Sequence, residues 1–526
     1  KYLLIILFSL YVLSSGAENR VVQKEDEKEV SIDEFIHKDT PKDAGFFHVY
    51  VQDGRYYLEV PDDKLERDIL VAVTIIKGTA QKERSTDARF GYGGDSVYDR
   101  LIRFIKNQDR IEIVSPQVFY LGDTPALYDD YIKNVISPVM YSLEIKAKSA
   151  DSYLVDITDL FLSDCDLFSL KGAKVALKLG GYQQEQSYAL DVKAFPENIN
   201  FRSMRGYAVD GEVKDGGYTS SLWEVGASWF LLPEKPMRQR MFDDRVGYFT
   251  FVLDGMTKRN DQMEKAAFAT RWRLEPKPED MEKYLRGELV EPVKPIVFYI
   301  DRATPEYLVP YFIKAVNAWQ GAFEKAGFKN AIYGKLAPSP EEDPEYSEGD
   351  IRYPLVSYKA SPIPNAYGPM VFDPRSGEII TSHIAIFHSV LDLLQRWYFV
   401  MCGAVDSRAR EYPLSHEVMG ELAATVLTHE VGHTLGLRHN FIGSTAYPVD
   451  SLRSKAFIRE HGLGTSIMDY QRFNYLAQPE DGLEPQDLLP RIGIYDEFAI
   501  EWGYRCFQET NNLVENDLKL RAWVDE

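Results

Sequence analysis

The chain has 526 residues, 45% hydrophobic and 27% charged, an ordinary globular composition too long for one core, so roughly two to four domains are expected. Its 81 acidic against 60 basic residues give a net charge of -21, which argues against a nucleic-acid partner and otherwise serves solubility. The three cysteines, Cys165, Cys402 and Cys506, lie far apart without ligand spacing, so stability must come from core burial rather than disulfides.

Residues 1–17 combine one basic residue, an apolar run short of a comfortable bilayer span, and small residues at Ser15 and Ala17. They read as a signal peptide cut near Ala17, so the protein is expected to be exported, to the periplasm, the cell surface or the medium, with no integral membrane span after removal. No cysteine follows the apolar run, which argues against a lipid anchor. Residues 18–44 are acidic and polar, densest at EDEKEV, and read as a mobile lead-in.

From 45 to 292 the hydrophobic period is two. FFHVYVQ and RYYLEV flank Asp53 and Gly54, a pair that favours a tight hairpin turn. DILVAVTIIKG is continuous enough for a buried strand, and LIRFIK with RIEIVS, then YSLEIKAK with YLVDIT, repeat the hairpin pattern. AKVALKLG, SSLWEVGASWFLL and VGYFTFVLDG continue it. The segment is expected to be a mainly antiparallel β domain, with Trp223 and Trp229 in its core, and it holds no ligand-spaced cluster of His, Cys or carboxylates.

A Pro- and charge-rich stretch from Glu275 to Lys294 marks the expected boundary, and 293–510 forms the next domain. PIVFYI reads as a strand. Thr304 and Pro305 start a helix that Gly327 ends, although Pro310 removes a backbone donor and could delay the start. AIYGKL, IRYPLVSYK, GPMVF and EIITSHIAIF supply strands, the last two around the turn DPRSG; a strand just ahead of the next motif is a candidate cleft edge. SVLDLLQRWYFVM reads as a helix, and IYDEFAIEWGY as another. Residues 511–526 read as the start of a C-terminal region that is cut short.

The chemistry is concentrated in His429 to His439, HEVGHTLGLRH, which holds three of the chain's nine histidines. Residues four apart on a helix turn about 400° and rise about 6 Å, so His429 and His433 can reach one ion from one face. Glu430 is better placed to hold a water beside the ion than to bind the ion. His439 could not converge on a continuing helix, which would carry it about 9 Å along the axis. The helix must stop, and Gly436 can take the left-handed conformation that stops it. Three nitrogens with one open position suit Zn2+. His383, His388 and His416 are expected to stay outside this set.

HEVGHTLGLRH followed by SIMDY at Ser466 to Tyr470 resembles the metzincin zinc peptidases, and from about Gly45 onward the chain resembles a bacterial group of zinc-dependent metalloproteases with a met-zincin domain and an upstream domain of unknown function. The resemblance implies an α+β fold, a zincin/metzincin catalytic domain preceded by the β domain. It also implies that Met468 packs beneath the ligands and that Tyr470 is a further ligand or a hydroxyl stabilising the transition state. The expected function is an endopeptidase acting on protein or peptide substrates, with zinc polarising the scissile carbonyl and Glu430 as general base. Two alternatives stand beside it: an exported binding protein with a structural zinc, and a zinc amidase acting on a cell-wall substrate. The sequence carries no sign of an oligomeric state.

Overall fold

The computed structural model describes residues 30–80, 89–119, 133–210, 218–255, 264–507 and 513–526. The signal peptide expected at 1–17 and the greater part of the expected lead-in lie outside the described residues. The fold is mixed α+β, with a large antiparallel sheet in the N-terminal part and the long helices in the C-terminal part.

Strands β1 (Lys42–Asp43), β2 (His48–Gln52), β3 (Arg55–Pro61), β4 (Ile69–Lys77), β5 (Ser96–Asn107), β6 (Arg110–Val114), β7 (Val139–Lys148), β8 (Ser152–Asp156), β9 (Leu179–Ala194), β10 (Asn198–Val209) and β11 (Ser220–Leu231) form one sheet. Its order is β1-β2-β3-β8-β7-β6-β5-β4-β11-β10-β9, and its adjacent strands pair antiparallel. The β2–β3 hairpin turns at Asp53 (φ 51°) and Gly54 (φ 74°), both left-handed as a two-residue turn of matching twist requires. The sheet curls until Phe46 N–H donates to Phe195 O at 3.0 Å, just past the opposite edge strand. Trp229, fully buried, sits among Phe104, Phe168 and Phe201, and Trp223 joins the same core.

AKVALKLG is not a strand. Lys171–Ala173 and Lys174–Leu177 are helical, and β9 starts only after Lys178, at φ 51°. Leu170, Ala173 and Leu177 are buried while Val175 is 87% exposed, so the helical spacing of the first three prevails over the alternation. Order also begins inside the stretch expected to be a lead-in: Ser31 caps a helix at Ile32–Phe35, and Ile32 and Ile36 pack with Tyr50, Tyr57 and Leu154.

The second sheet contains β14 (Arg271–Trp272), β15 (Ile296–Ile300), β16 (Ile332–Leu336), β17 (Leu355–Lys359), β18 (Ala366–Tyr367), β19 (Met370–Asp373) and β20 (Glu378–Phe387). Its parallel path is β14-β20-β17-β15-β16, with β18 and β19 antiparallel on β20; β12 (Thr250–Gly255) and β13 (Glu264–Ala269) pair separately as a hairpin. The parallel pair β15–β16 needs a crossover, and helices Val309–Asn317 and Gln320–Lys325 supply it. Helix starts at Val309, not at Thr304, because Pro310 has no N–H and fits only the first turn. Gly327, at φ 93°, ends the pair as expected. Because β20 is paired on both sides, the rim beside the histidine motif is formed by β18.

The core of the C-terminal part reaches back past residue 293: Val246, Tyr248, Ala269, Trp272, Leu274 and Tyr284 pack into it. The two parts meet where Leu70, Ala72 and Leu101 touch Ile351 and Val371, and where Arg375 bridges Asp373 and Asp68. Asp95 reaches across this interface, accepting from Gly91 N–H, Tyr92 N–H and the Tyr367 hydroxyl on β18.

Glu378, opposite Arg271 in the β14–β20 ladder, keeps one buried carboxylate oxygen without a hydrogen-bond partner. Burial, with Asp373 and Glu275 adding to it against Arg273, pushes its pKa up to about 7. A carboxyl with a folded pKa raised above its unfolded value holds a proton the unfolded chain has released, so stability present in mild acid is lost as pH rises toward and through 7. Glu378→Gln should therefore gain roughly 2 kcal/mol over the parent at pH 8 and little at pH 5 in denaturant titrations. Identical pH profiles for the two proteins would disprove this account.

Candidate metal centre

The motif lies at the end of helix His416–Thr434, which Ser415 caps by accepting from Val418 N–H. The helix is buried on nearly every side, and Trp319 Nε1–H donates to Thr428 O at 3.0 Å. It ends at Gly436, φ 100°, with Leu437 N–H returning to Gly432 O and Gly436 N–H to His433 O, the paired closure of a Schellman turn. Only glycine fits here: a Cβ would lie 2.3 Å from Thr270 O and 2.9 Å from the Tyr248 ring.

The last carbonyls of a helix need outside donors. Trp272 Nε1–H donates to Thr434 O at 2.8 Å, the Tyr504 hydroxyl to Leu435 O at 2.9 Å, and Phe249 N–H to Gly436 O at 2.7 Å. Arg438 N–H in turn donates to Gly247 O at 2.6 Å. Residues 247–249 thus pair with 436–438 and aim the chain that carries His439. Sequence patterning assigned 247–249 to the β domain and gave no sign of this clamp.

His429, His433 and His439 come together, each offering one ring nitrogen within 4.8 Å of the others. His429 Nδ1–H donates to Ile467 O at 2.7 Å and His433 Nδ1–H to Leu437 O at 2.8 Å, so in the neutral rings Nε2 carries the lone pair. Burial pushes the His429 pKa down to about 3 and that of His433 to about 4, with His439 also lowered, which favours the neutral, ligating form. His429 Nε2 is buried with no partner, and His433 Nε2 and His439 Nε2 lie 3.0 Å apart. Nitrogens at the corners of a tetrahedral zinc site are separated by about 3.3 Å, so the donor set fits the ion. Among the described residues no fourth His, Cys, Asp or Glu joins the cluster.

Glu430, 8% exposed, lines a cavity with His429, Val426, Ile467, Tyr470 and Arg472. Burial raises its pKa to about 8, with Arg472 pulling the other way. Met468 is fully buried, and a Cβ on Gly432 would stand 2.2 Å from its sulfur, so the turn lies directly against the helix. Tyr470 is 44% exposed, its ring 4.4 Å from that of His439 and 5.4 Å from that of His429.

Asp496 is a residue that sequence reasoning missed, lying inside IYDEFAIEWGY with no marker beyond its place near a helix start. Fully buried, it accepts from Ser466 Oγ–H at 2.6 Å, Ile467 N–H at 2.7 Å and Gly493 N–H at 2.8 Å. It therefore fixes the turn whose Ile467 carbonyl orients His429. Three other histidines stay apart, as expected of them: His383 faces Gly94 of the N-terminal part and holds Ser357 Oγ at 2.9 Å, His388 is exposed against the Tyr358 hydroxyl, and His416 stacks on Tyr307.

Residues 411–526 match the family model described as Met-zincin, with a domain of unknown function (DUF5117) at 94–277 and a second (DUF5118) at 29–78 upstream. No curated protein and no solved structure matches the chain. The Met-zincin match and the three-histidine cluster together point to a metal-dependent, typically zinc-dependent, metallopeptidase.

Proposed function

We propose that this chain, which carries a Met-zincin domain at 411–526, is an exported zinc-dependent endopeptidase in which Glu430 is the general base. The observation that carries the reading is the buried Glu430 carboxyl beside three convergent imidazoles and on the wall of a cavity, since a purely structural zinc has no use for that group. His429, His433 and His439 would hold the ion, which when bound supplies Lewis acidity toward a carbonyl oxygen and acidifies water.

Glu430 takes the proton of the attacking water on a carboxylate oxygen and hands it to the departing amine nitrogen. The Tyr470 hydroxyl, on a ring beside His439, is the chain's own candidate donor to the developing oxyanion. Pro364, Asn365 and Ala366, leading into β18, rim the same cavity and offer an edge along which an extended peptide could lie. Export rests on the apolar leader at 1–17; among the described residues no helix is long and apolar enough to cross a membrane.

An unbiased peptide-library digest with the zinc-loaded full chain tests the reading. Cleavage abolished by a chelator and restored by zinc is expected. No cleavage at stoichiometric zinc would favour a binding protein, and cleavage confined to murein fragments an amidase.

A further inference from the structure

Immediately after the methionine turn the backbone does something unusual for its residue type: Arg472 has φ 58°, the left-handed region that a long side chain seldom occupies. Its guanidinium lies against two aromatic rings, with Cζ 4.2 Å from the Trp397 centroid and 4.2 Å from that of Tyr470. Two π faces hold the charged plane and leave its N–H groups for another acceptor.

That acceptor is not supplied by the described residues. Other buried or half-buried arginines each have a hydrogen-bond acceptor, Arg352 at Asp350, Arg375 at Asp373, Arg408 at Asp406 and Arg240 at the Trp502 and Arg505 carbonyls. Arg472 has no such bond; the charged or ionisable groups acting on it, Tyr470 and Glu430, do so only through space. A cation held in place yet left without a hydrogen-bonded anion is costly unless something else completes it.

The cavity it lines supplies the setting. It holds Glu430 and His429 on one side and Leu394, Trp397, Val426 and Phe473 as apolar wall, with a volume of about 110 Å³. Pockets for whole small ligands run from about 300 Å³ upward, so this one is scaled to a single side chain or chain end. Asp469 also lines it, with Oδ2 accepting from Ser444 N–H and no hydrogen bond to Arg472. An entering group therefore meets a mixed wall, apolar at Leu394, Trp397, Val426 and Phe473, with the clamped guanidinium of Arg472 and the carboxyls of Glu430 and Asp469. A lysine side chain would meet like charge, and a neutral one would leave the arginine unpaired.

Resting on the endopeptidase reading, we infer that this cavity binds a substrate carboxylate next to the scissile bond through Arg472, making Arg472 the residue that sets specificity. The carboxylate comes from an Asp or Glu side chain or from the C-terminus of a short peptide. Either source presents two oxygens to the guanidinium fork.

Zinc-loaded full-length protein should be assayed on peptides identical except for Glu, Gln, Leu or Lys beside the cleaved bond, and on short peptides ending as free acid or amide. The parent is expected to favour Glu over Gln, or acid over amide, by about 10- to 100-fold in kcat/KM, the stronger arm identifying the source. Arg472→Gln should collapse that ratio to near unity, Arg472→Lys should retain its direction, and Arg472→Glu should turn the preference toward Lys. Calorimetric binding of N-acetyl-glutamate amide and N-acetyl-glutamine amide to Glu430→Gln protein gives a readout independent of turnover, the first binding at least tenfold more tightly if the side-chain arm is the source. Cleavage of all peptides within about threefold of one another, or a charge preference that survives Arg472→Gln in a folded protein, overturns the inference while leaving the endopeptidase standing. Failure to cleave any peptide overturns both.

Discussion

Glu430→Gln is expected to keep one zinc per chain and the native fold while peptide cleavage falls by about three orders of magnitude or more. General acid–base catalysis contributes about 10²- to 10⁴-fold, and the same group would serve in both proton transfers. Gln keeps the volume and the hydrogen-bonding edge, so the cavity shared with His429 and Val426 should not collapse. The substitution also removes a carboxyl whose ionisation burial already opposes, pushing its pKa up to about 8, so thermal stability should be unchanged or higher. Metal content by mass spectrometry, near-ultraviolet circular dichroism and single-turnover rates on one good peptide check the three parts. A variant within tenfold of the parent rate would show that another group moves the proton.

The second large effect belongs to Asp496, which touches no ligand. Its carboxylate is the common acceptor for Ser466 Oγ–H, Ile467 N–H and Gly493 N–H, and the Ile467 carbonyl in turn receives the His429 Nδ1–H. Although burial pushes its pKa up to about 6, the group is ionised at neutral pH, where an acceptor-only side chain facing three donors is needed. Asp496→Ala leaves those donors buried without partners and frees the turn. A loss of about 3 kcal/mol in stability is expected, since each unsatisfied buried donor costs about 1–3 kcal/mol. Zinc affinity should fall about 10- to 100-fold, the usual effect of losing a partner that orients a ligand. Asp496→Asn, which keeps the volume but turns an amide N–H toward a donor, should fall between. Competition with a chromophoric chelator measures affinity, and unchanged affinity in a destabilised Asp496→Ala protein would restrict Asp496 to a folding role.

Several features of the centre were legible from spacing alone because they obey local geometry. Two histidines four apart share a helix face whatever surrounds them, and the demand that His439 turn back made a glycine at 436 necessary; the observed φ of 100° is that demand met. The Asp53–Gly54 hairpin is of the same kind, since the turn's conformation and its residues sit in one short window. Where two periodicities fit one window, as in AKVALKLG, pattern could not choose, and burial of Leu170, Ala173 and Leu177 on one side chose the helix. The pattern of β9 was masked because that strand lies at a sheet edge and much of it faces solvent.

What the sequence by itself determined is the set of three histidines that could hold a metal, the point where the helix must break, and a β-rich part followed by a part with helices. Only the tertiary structure decided what holds those pieces to their task. The clamp of 247–249 on 436–438, the hold of Asp496 on 466–467 and the seat of Arg472 on Trp397 join residues about 30 to 190 positions apart, a separation at which periodicity and turn preference carry no signal. For the same reason the core that supports the centre starts near Val246 rather than after the proline-rich boundary: donors for the exposed end of a buried helix are chosen by proximity in space, and Trp272, Phe249 and Tyr504 were the ones the fold brought there.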